Sequence, residues 1–379
     1  VRMLFTFAGG NGHADPLLPI ARAAESAGHT VAVSGRPAVT PMIQAAGLTA
    51  IPTGDPPTGP PERSPLLAVD VEREDRVFRD HFAGRLARRR AELVGDLARR
   101  WRPDLIVCDE TDFGSMIAAE VLGLPYASVL VISSGHFSRP ELIGATLDGV
   151  RAGFGLAPDP ELAMLSRHLV LSPVPPSFRD PAHPLPATAH SIRPVRREHT
   201  GSAPAWLDQL GPAPIVYATL GTEFNVESGD LFQRIIAGLT GLPITLIVTV
   251  GAQIDPAEFG PQPSHVRIER FIPQAALLPR CAAVVSHGGS GSVIGALTHG
   301  VPSVVFPMGA DQPANADRCA ALGVARVLEP VGATPAEIGA AVAAVLADPG
   351  YRAAAERLRD ELAALPGPDH AVKLLEALL

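Results

Sequence analysis

VVSHGGSGSVIGALTHGVPSVVFPMGAD, residues 284–311, reads as a β-strand that empties into a glycine-rich loop and then opens a helix. Gly288, Gly289 and Gly291 let the backbone approach a bulky polyanion without Cβ clashes, and the free N–H groups of the helix N-terminus, with its dipole, favour a phosphate. His287, at the strand's end, adds a side-chain donor aimed into the same space. The spacing of Gly289, Gly291 and Gly295 departs from the dinucleotide G-x-G-x-x-G fingerprint. The ligand expected here is phosphorylated and need not be NAD.

Working outward, 379 residues with 46% hydrophobic content can bury a large core, and the length favours two domains. A net charge of −8 and a pI near 5.8 argue against nucleic acid as the principal partner. No apolar stretch approaches the roughly 20 residues that cross a bilayer. The opening VRMLFTFAGG is read as a first strand and not as a signal sequence, and a cytoplasmic location is expected. Cys108, Cys281 and Cys319 are isolated, with no C-x-x-C spacing, which suits buried reduced thiols better than a disulfide or zinc framework. Lys373 is the only lysine, so a P-loop lysine, a pyridoxal Schiff base and an S-x-x-K pair all lack their central residue.

Strand-like runs at 3–7, 30–34, 105–108 and 126–131 alternate with helical segments, the pattern of a parallel α/β sheet. Asp15 and Pro16 are placed to start the first helix and Gly28 to end it. Phe78, Phe82, Leu86, Leu93, Leu97 and Trp101 recur at helical spacing as one buried stripe, with Arg85, Arg88, Arg89, Arg90, Arg99 and Arg100 expected on a solvated face. The proline-rich stretch 54–65 is expected as a surface loop, and 172–194 contains the best linker candidate. Alternation then restarts with strands at 215–219, 245–249, 266–268, 283–286 and 303–306. The expected division is a first domain at 1–180, a linker at 181–204, a second domain at 205–365, and a terminal helix at 366–379 that crosses back onto the first domain.

Each domain has one distinctive strand-to-helix loop: GGNGHADP at 9–16 and HGGSGS at 287–292. Ligands bind outside the carboxyl ends of strands in such sheets, so facing domains would set His13 opposite the phosphate cradle. GGNGHADP, the FIPQ stretch at 271–274, and HGGSGSVIGALTHGVPSVVFPMGADQPANADRCAALGVA together resemble the GT-B nucleotide-sugar glycosyltransferases. The resemblance is nearest to the bacterial natural-product branch of the UDP-glycosyltransferase-like superfamily and covers essentially the whole chain. It implies two Rossmann-like α/β domains and an inverting, metal-independent transfer in which the nucleoside-diphosphate sugar is a substrate; no resident cofactor is expected.

Such a reaction needs a base, a cradle for the departing diphosphate and contacts to the sugar. His13 is the candidate base, because an imidazole titrates near the operating pH. The resemblance points to Asp109 as its orienting partner, with Glu110 and Asp112 near enough to compete and helix capping as the structural alternative. The diphosphate falls to Gly12, Thr222, His287, Gly288, Gly289, Ser290, Gly291 and Ser292. Phe271 stands where many relatives carry a tryptophan stacked on the base, the Ile272 backbone reads the pyrimidine edge, and Gln274 assists. Asp311 and Gln312 match the pair that holds donor-sugar hydroxyls, with Asn315 one helical step on; Asp311 as a helix cap is the alternative. His136 either lines the acceptor pocket or lies on a surface loop.

Many UDP-glucose-using relatives place a glutamate after the glycine loop to hold ribose hydroxyls, whereas this chain has Gly295. That favours a dTDP-sugar, whose deoxyribose lacks the 2′-hydroxyl, over a UDP-sugar. The acceptor is expected to be a small natural product bound by loops at 54–67 and 133–147. The competing readings are a nucleotide-sugar epimerase of the same architecture, a non-catalytic nucleotide-binding helper of another glycosyltransferase, and a Rossmann oxidoreductase. The oxidoreductase suffers from the wrong glycine spacing and from Ser34-Gly35-Arg36 where an acidic ribose partner belongs.

Overall fold

The computed structural model describes residues 1–55, 59, 62–195 and 204–379. Parts of the expected loop (56–58 and 60–61) and of the expected linker (196–203) lie outside the described residues. The chain divides into two compact units, one of Val1–Thr58, Val71–Glu198 and Ala364–Leu379, the other of Gly59–Asp70 and His199–Ala363.

The first unit is built on a six-stranded parallel sheet of β1 (Arg2–Thr6), β2 (Thr30–Ser34), β3 (Leu105–Asp109), β4 (Tyr126–Val129), β5 (Leu169–Ser172) and β6 (Ala189–Ser191). Its order is β2-β1-β3-β4-β5-β6. Apolar side chains on both faces suit strands covered by helices on both sides, and β3 is buried at every residue. β1 and β3 run in register, Thr6 opposite Cys108, so the loops that follow them emerge side by side. Phe5, Leu18 and Val33 pack one face with Ala371, Val372 and Leu375 of the terminal helix Pro368–Glu376. Leu4, Ile106, Phe113 and Val94 pack the other.

The second unit repeats the plan with β7 (Ile215–Thr219), β8 (Thr245–Thr249), β9 (Val266–Glu269), β10 (Cys281–Ser286), β11 (Ser303–Val305) and β12 (Ala325–Val327), in the order β12-β11-β10-β7-β8-β9. β10 lies between β11 and β7, with Ser286 opposite Thr219. The loops after β7 and β10 are therefore neighbours.

Several expectations need correction. Ala189–Ser191, placed in the linker, pairs with β5 and closes the first sheet. Gly59–Asp70 belongs to the second unit although its neighbours in sequence belong to the first. There Arg63 pairs with Glu258 at 2.7 Å and the Ser64 N–H donates to the Val226 carbonyl. Asp15 is not the N-cap of the first long helix: it ends the short turn Asn11–Ala14, and the next helix, Leu18–Ser26, has Leu17 at its N-cap. The stripe of aromatic and leucine residues begins in a π-helical stretch, Phe78–Leu86, which follows the helix Val71–Val77, and continues into Ala87–Trp101. Arg90 does not share the solvated face; it is buried, with Nη2 2.5 Å from Asp112 and Nη1 bonded to Thr53. Cys108, Cys281 and Cys319 are free and buried. Among the described residues no helix is long and apolar enough to cross a membrane.

Candidate active site

His13 sits in the turn that follows β1, its side chain 24% exposed, with Nδ1 directed at the fully buried Asp109, 3.3 Å from Oδ1. Thr111 closes the arrangement. Its hydroxyl donates to Asp109 Oδ1 at 2.6 Å and lies 3.2 Å from His13 Nδ1. A hydroxyl has one proton, and this one is spent on the carboxylate, so the Thr111 oxygen accepts from Nδ1–H. The hydrogen-bond pattern thereby assigns the tautomer with the proton on Nδ1 and the lone pair on Nε2.

Asp109 also accepts from the backbone N–H groups of Ala8 and Thr111, each at 2.7 Å. Burial by itself would push its carboxyl up. The charge of His13, the hydrogen bonds from His13 and Thr111, and the Ala8 N–H outweigh burial and hold it below the usual carboxylate value. Its competitors have other work. Glu110 is buried and accepts from the N–H groups of Val131 and Ile132, and Asp112 caps the helix Phe113–Leu122 while pairing with Arg90. Thr111 was missed by sequence reasoning, although an Asp-x-Thr pattern after a strand is a recognisable turn signal.

A row of rings runs through this unit. His13 lies 6.1 Å from Phe82 at an interplanar angle of 14°, Phe82 lies 5.5 Å from Phe78, and Phe78 lies 4.8 Å from Phe137. Phe137 meets His136, which in turn meets His183. The row thus connects His136 to His13. Burial, reinforced by Arg139, pushes the His136 imidazole below its ordinary value. The 133–147 stretch expected as an acceptor loop becomes helical from Pro140, and Ser133 and Ser134 are buried.

In the second unit the glycine loop joins β10 to the helix Ser290–Thr298, whose N-cap is Gly289. His287 is 8% exposed, burial pushes its pKa down to about 4, and Nδ1 has no hydrogen-bond partner. Its ring lies against glycine backbone: a Cβ on Gly289 would stand 2.6 Å from Nε2, and one on Gly221 2.7 Å from Cε1. Gly221, with φ +78°, carries the exposed Thr222 to the neighbourhood of the glycine loop. Gly288, at φ +84°, also faces Val305 so closely that a Cβ would lie 2.6 Å from its Cγ1.

Asp311 accepts from the Ser290 hydroxyl at 2.6 Å and from Asn315 Nδ2 at 2.8 Å. It stands at the N-cap of Gln312–Ala321 without a side-chain capping bond, so the capping alternative fails. Asn315, fully buried, also donates to the Gly288 carbonyl at 3.0 Å and leaves Oδ1 unpartnered. Gln312 is buried, and its Oε1 accepts from the Met308 N–H at 2.8 Å, bracing the turn before the helix. Gly291 and Ser292 lie in the first turn of Ser290–Thr298, and Gly295 is buried midway along it.

Phe271 follows the edge strand β9 and is 58% exposed. Ile272 is buried among Leu207, Leu277 and Leu278, while Gln274 donates to the Tyr217 hydroxyl. β9 and β10 are separated by β7 and β8, three inter-strand steps of about 4.8 Å each. Gly12, expected at the diphosphate, lies exposed in the turn after β1 with open space around its Cα. Among the described residues no group of three or more His, Cys, Asp or Glu is arranged to hold a metal ion.

Comparison with known proteins agrees across the chain. Residues 233–378 match the family described as erythromycin biosynthesis protein CIII-like, C-terminal domain. The 10-deoxymethynolide desosaminyltransferase of Streptomyces venezuelae is 32% identical, over 100% of this chain and 97% of that protein. The glycosyltransferase VinC, solved in complex with dTDP, superposes with a TM-score of 0.79 at 26% identity, covering 100% and 99% of the two chains. The spinosyn rhamnosyltransferase SpnG complexed with thymidine diphosphate gives 0.78 at 26% identity, covering 99% of this chain and 100% of that one.

Proposed function

The chain belongs to the GT-B glycosyltransferases of natural-product biosynthesis, and from that premise we propose that it moves a hexose or deoxyhexose from a dTDP-sugar to a hydroxyl of a small natural-product acceptor, with inversion at the anomeric carbon. The observation that supports the mechanism is the placement of His13 Nδ1 against the Thr111 hydroxyl and the Asp109 carboxylate, from which the tautomer follows. With Nδ1–H directed at Thr111 and Asp109, Nε2 is the nitrogen that takes the acceptor proton. The acceptor oxygen then attacks the anomeric carbon from the face opposite the diphosphate, the new C–O bond forms as the sugar–phosphate bond breaks, and dTDP departs. Asp109, buried and ionised, stabilises the imidazolium that results.

Charge growing on the diphosphate meets the N-terminus of Ser290–Thr298, the glycine-loop N–H groups and His287, a neutral donor fixed in place before the reaction. Ser292 and Thr222 supply hydroxyl donors, while Ser290, whose hydroxyl proton is engaged by Asp311, offers its backbone N–H. Asp311 holds sugar hydroxyls, the buried Asn315 amide fixes its carboxylate, and Gln312 braces the turn before the helix. Phe271 offers an exposed face for the thymine base, read at its edge by the Ile272 backbone and Gln274. The dTDP preference is supported by Gly295, which offers no carboxylate to a ribose 2′-hydroxyl, and by relatives solved with that nucleotide. His136 belongs to the acceptor side, and the reading uses no metal ion or resident cofactor.

The test is transfer from a dTDP-deoxyhexose to a panel of hydroxylated polyketide acceptors, with the anomeric configuration of donor and product compared by NMR. Inversion, and loss of transfer in His13→Ala with dTDP affinity kept, are the expected results. Retained configuration, or full turnover in His13→Ala, overturns the proposal.

A further inference from the structure

The imidazole of His13 is held by more than its partners at Nδ1. A Cβ added to Gly9 would stand 2.0 Å from His13 Cδ2, 2.4 Å from Nε2 and 2.5 Å from Cγ. Near-equal distances to the two atoms flanking Cδ2, each only slightly longer than the distance to Cδ2 itself, put that methyl over the face of the ring and not beside its edge. The glycine backbone therefore occupies contact distance from the ring face, at the carbon between Cγ and the reacting nitrogen. Gly9 has no positive φ, so its backbone conformation is open to any residue and the requirement lies in the missing Cβ. Phe82, from the π-helical stretch Phe78–Leu86, lies nearly parallel to the same imidazole and is itself backed by Phe78. π-Helical stretches often mark functional sites because the wider turn re-aims side chains.

We infer that Gly9 and Phe82 are positioning residues for the base: the bare backbone of Gly9 and the ring of Phe82 fix the plane of His13, so that Nδ1 stays on Thr111 and Asp109 and Nε2 stays on the line to the acceptor hydroxyl. The inference rests on His13 being the base. A methyl at Gly9 has one way out, which is to push the imidazole off its present plane, because the neighbouring backbone carries β1 and the Ala8 N–H bond to Asp109. Displacement of about 1 Å at a reacting group costs on the order of 10²-fold in rate.

The experiment compares Gly9→Ala, Phe82→Leu, Phe82→Tyr and His13→Ala, with Gly149→Ala, an exposed helical glycine surrounded by open space, as the control. Gly9→Ala is expected to lower kcat about 10²-fold while the KM for the dTDP-sugar and the melting temperature stay near the parent values. Phe82→Leu is expected to lower kcat about 3- to 10-fold, and Phe82→Tyr, which keeps the ring, to restore it. In histidine-selective ¹⁵N spectra the His13 Nδ1 and Nε2 signals are expected to shift in both impaired variants and to return in Phe82→Tyr. Parent-like kcat in Gly9→Ala overturns the inference, as does a kcat loss in either variant with unchanged His13 signals. If Gly9→Ala fails to fold, the Phe82 pair decides alone: failure of Tyr to restore kcat overturns it. Full activity in His13→Ala would instead overturn the base assignment, an outcome separable from all of these.

Discussion

Two histidines occupy equivalent places in the two units and face opposite demands. His13 follows β1 and His287 follows β10, each at the carboxyl end of a strand flanked on both sides, and each ring is pressed against glycine backbone, Gly9 in one case and Gly221 with Gly289 in the other. Around His13 the protein supplies a buried carboxylate, a hydroxyl and partial exposure; around His287 it supplies burial alone. A ring whose charged form has a partner can accept a proton in mid-reaction. A ring denied that partner stays neutral and donates without changing charge. Position in the fold sets where each imidazole stands, and the groups behind it set what it does.

The strongest challenge to this contrast is to remove each ring in turn. His13→Ala is expected to lower turnover by about 10³-fold, within the range for loss of a general base, while dTDP binding measured by calorimetry stays within about 2-fold. His287→Ala is expected to weaken dTDP binding by about 10-fold or more, because a charge-assisted donor to the diphosphate is lost. Equal effects of both substitutions on both quantities would erase the distinction.

Acid sharpens it next. The His287 pKa of about 4 in the folded protein lies below the roughly 6.5 of an unfolded chain, so between these values only the unfolded chain binds the proton. Stability from this group is fully present above about pH 6.5 and is lost as pH falls toward about 4, a loss of about 3 kcal/mol. Urea unfolding of the parent and His287→Asn across that window measures the difference, and parallel pH dependences would contradict the burial argument. Asp109 acts in a lower window. Its carboxyl is held below the usual value, so its contribution persists through this range and disappears only as pH falls through that lowered pKa.

Asp109→Asn then probes the first site from behind. The carboxylate accepts from Ala8 N–H, Thr111 N–H, the Thr111 hydroxyl and His13 Nδ1–H, whereas an amide turns an NH₂ toward some of those donors. A buried mismatch of this kind costs about 1–3 kcal/mol of stability, and it also removes the group that holds Nδ1–H. Turnover is expected to fall more steeply than melting temperature, with dTDP affinity kept. Unchanged turnover would mean that Thr111 alone orients the base.

How far the sequence foretold these sites follows from what each depends on. β1 and β3 were visible as apolar runs, and their neighbouring positions in a parallel sheet bring Asp109 to His13 across a long separation in sequence. β6 and β12 were not visible, because a three-residue edge strand such as Ala189–Ser191, set among prolines, carries no apolar run. Arg90 sat in a run of arginines that reads as solvated, yet it is one helical turn from Val94 and faces inward with it. The glycine loop announced itself by composition. Gly9 and Phe82 did not, since one looked like ordinary loop glycine and the other like core, and only the side chain they both touch distinguishes them.

The smallest expected effect concerns the donor, where the proposed selectivity would arise from a side chain that is absent. Gly295 is buried midway along Ser290–Thr298, the helix whose N-terminus is proposed to meet the diphosphate, and it contributes no side chain toward a sugar hydroxyl of the nucleoside. A UDP ribose would bring a 2′-hydroxyl whose water partner is lost on binding and not replaced from this position; the deoxyribose of dTDP brings none. One poorly compensated hydroxyl is worth about 1 kcal/mol, so dTDP is expected to bind about 5-fold more tightly than UDP. Titration of both nucleotides into the parent protein measures the ratio. Repeating it with dUDP separates the two chemical differences between them: if the ribose hydroxyl decides, dUDP binds like dTDP, and if the thymine methyl decides, dUDP binds like UDP and the argument from Gly295 fails.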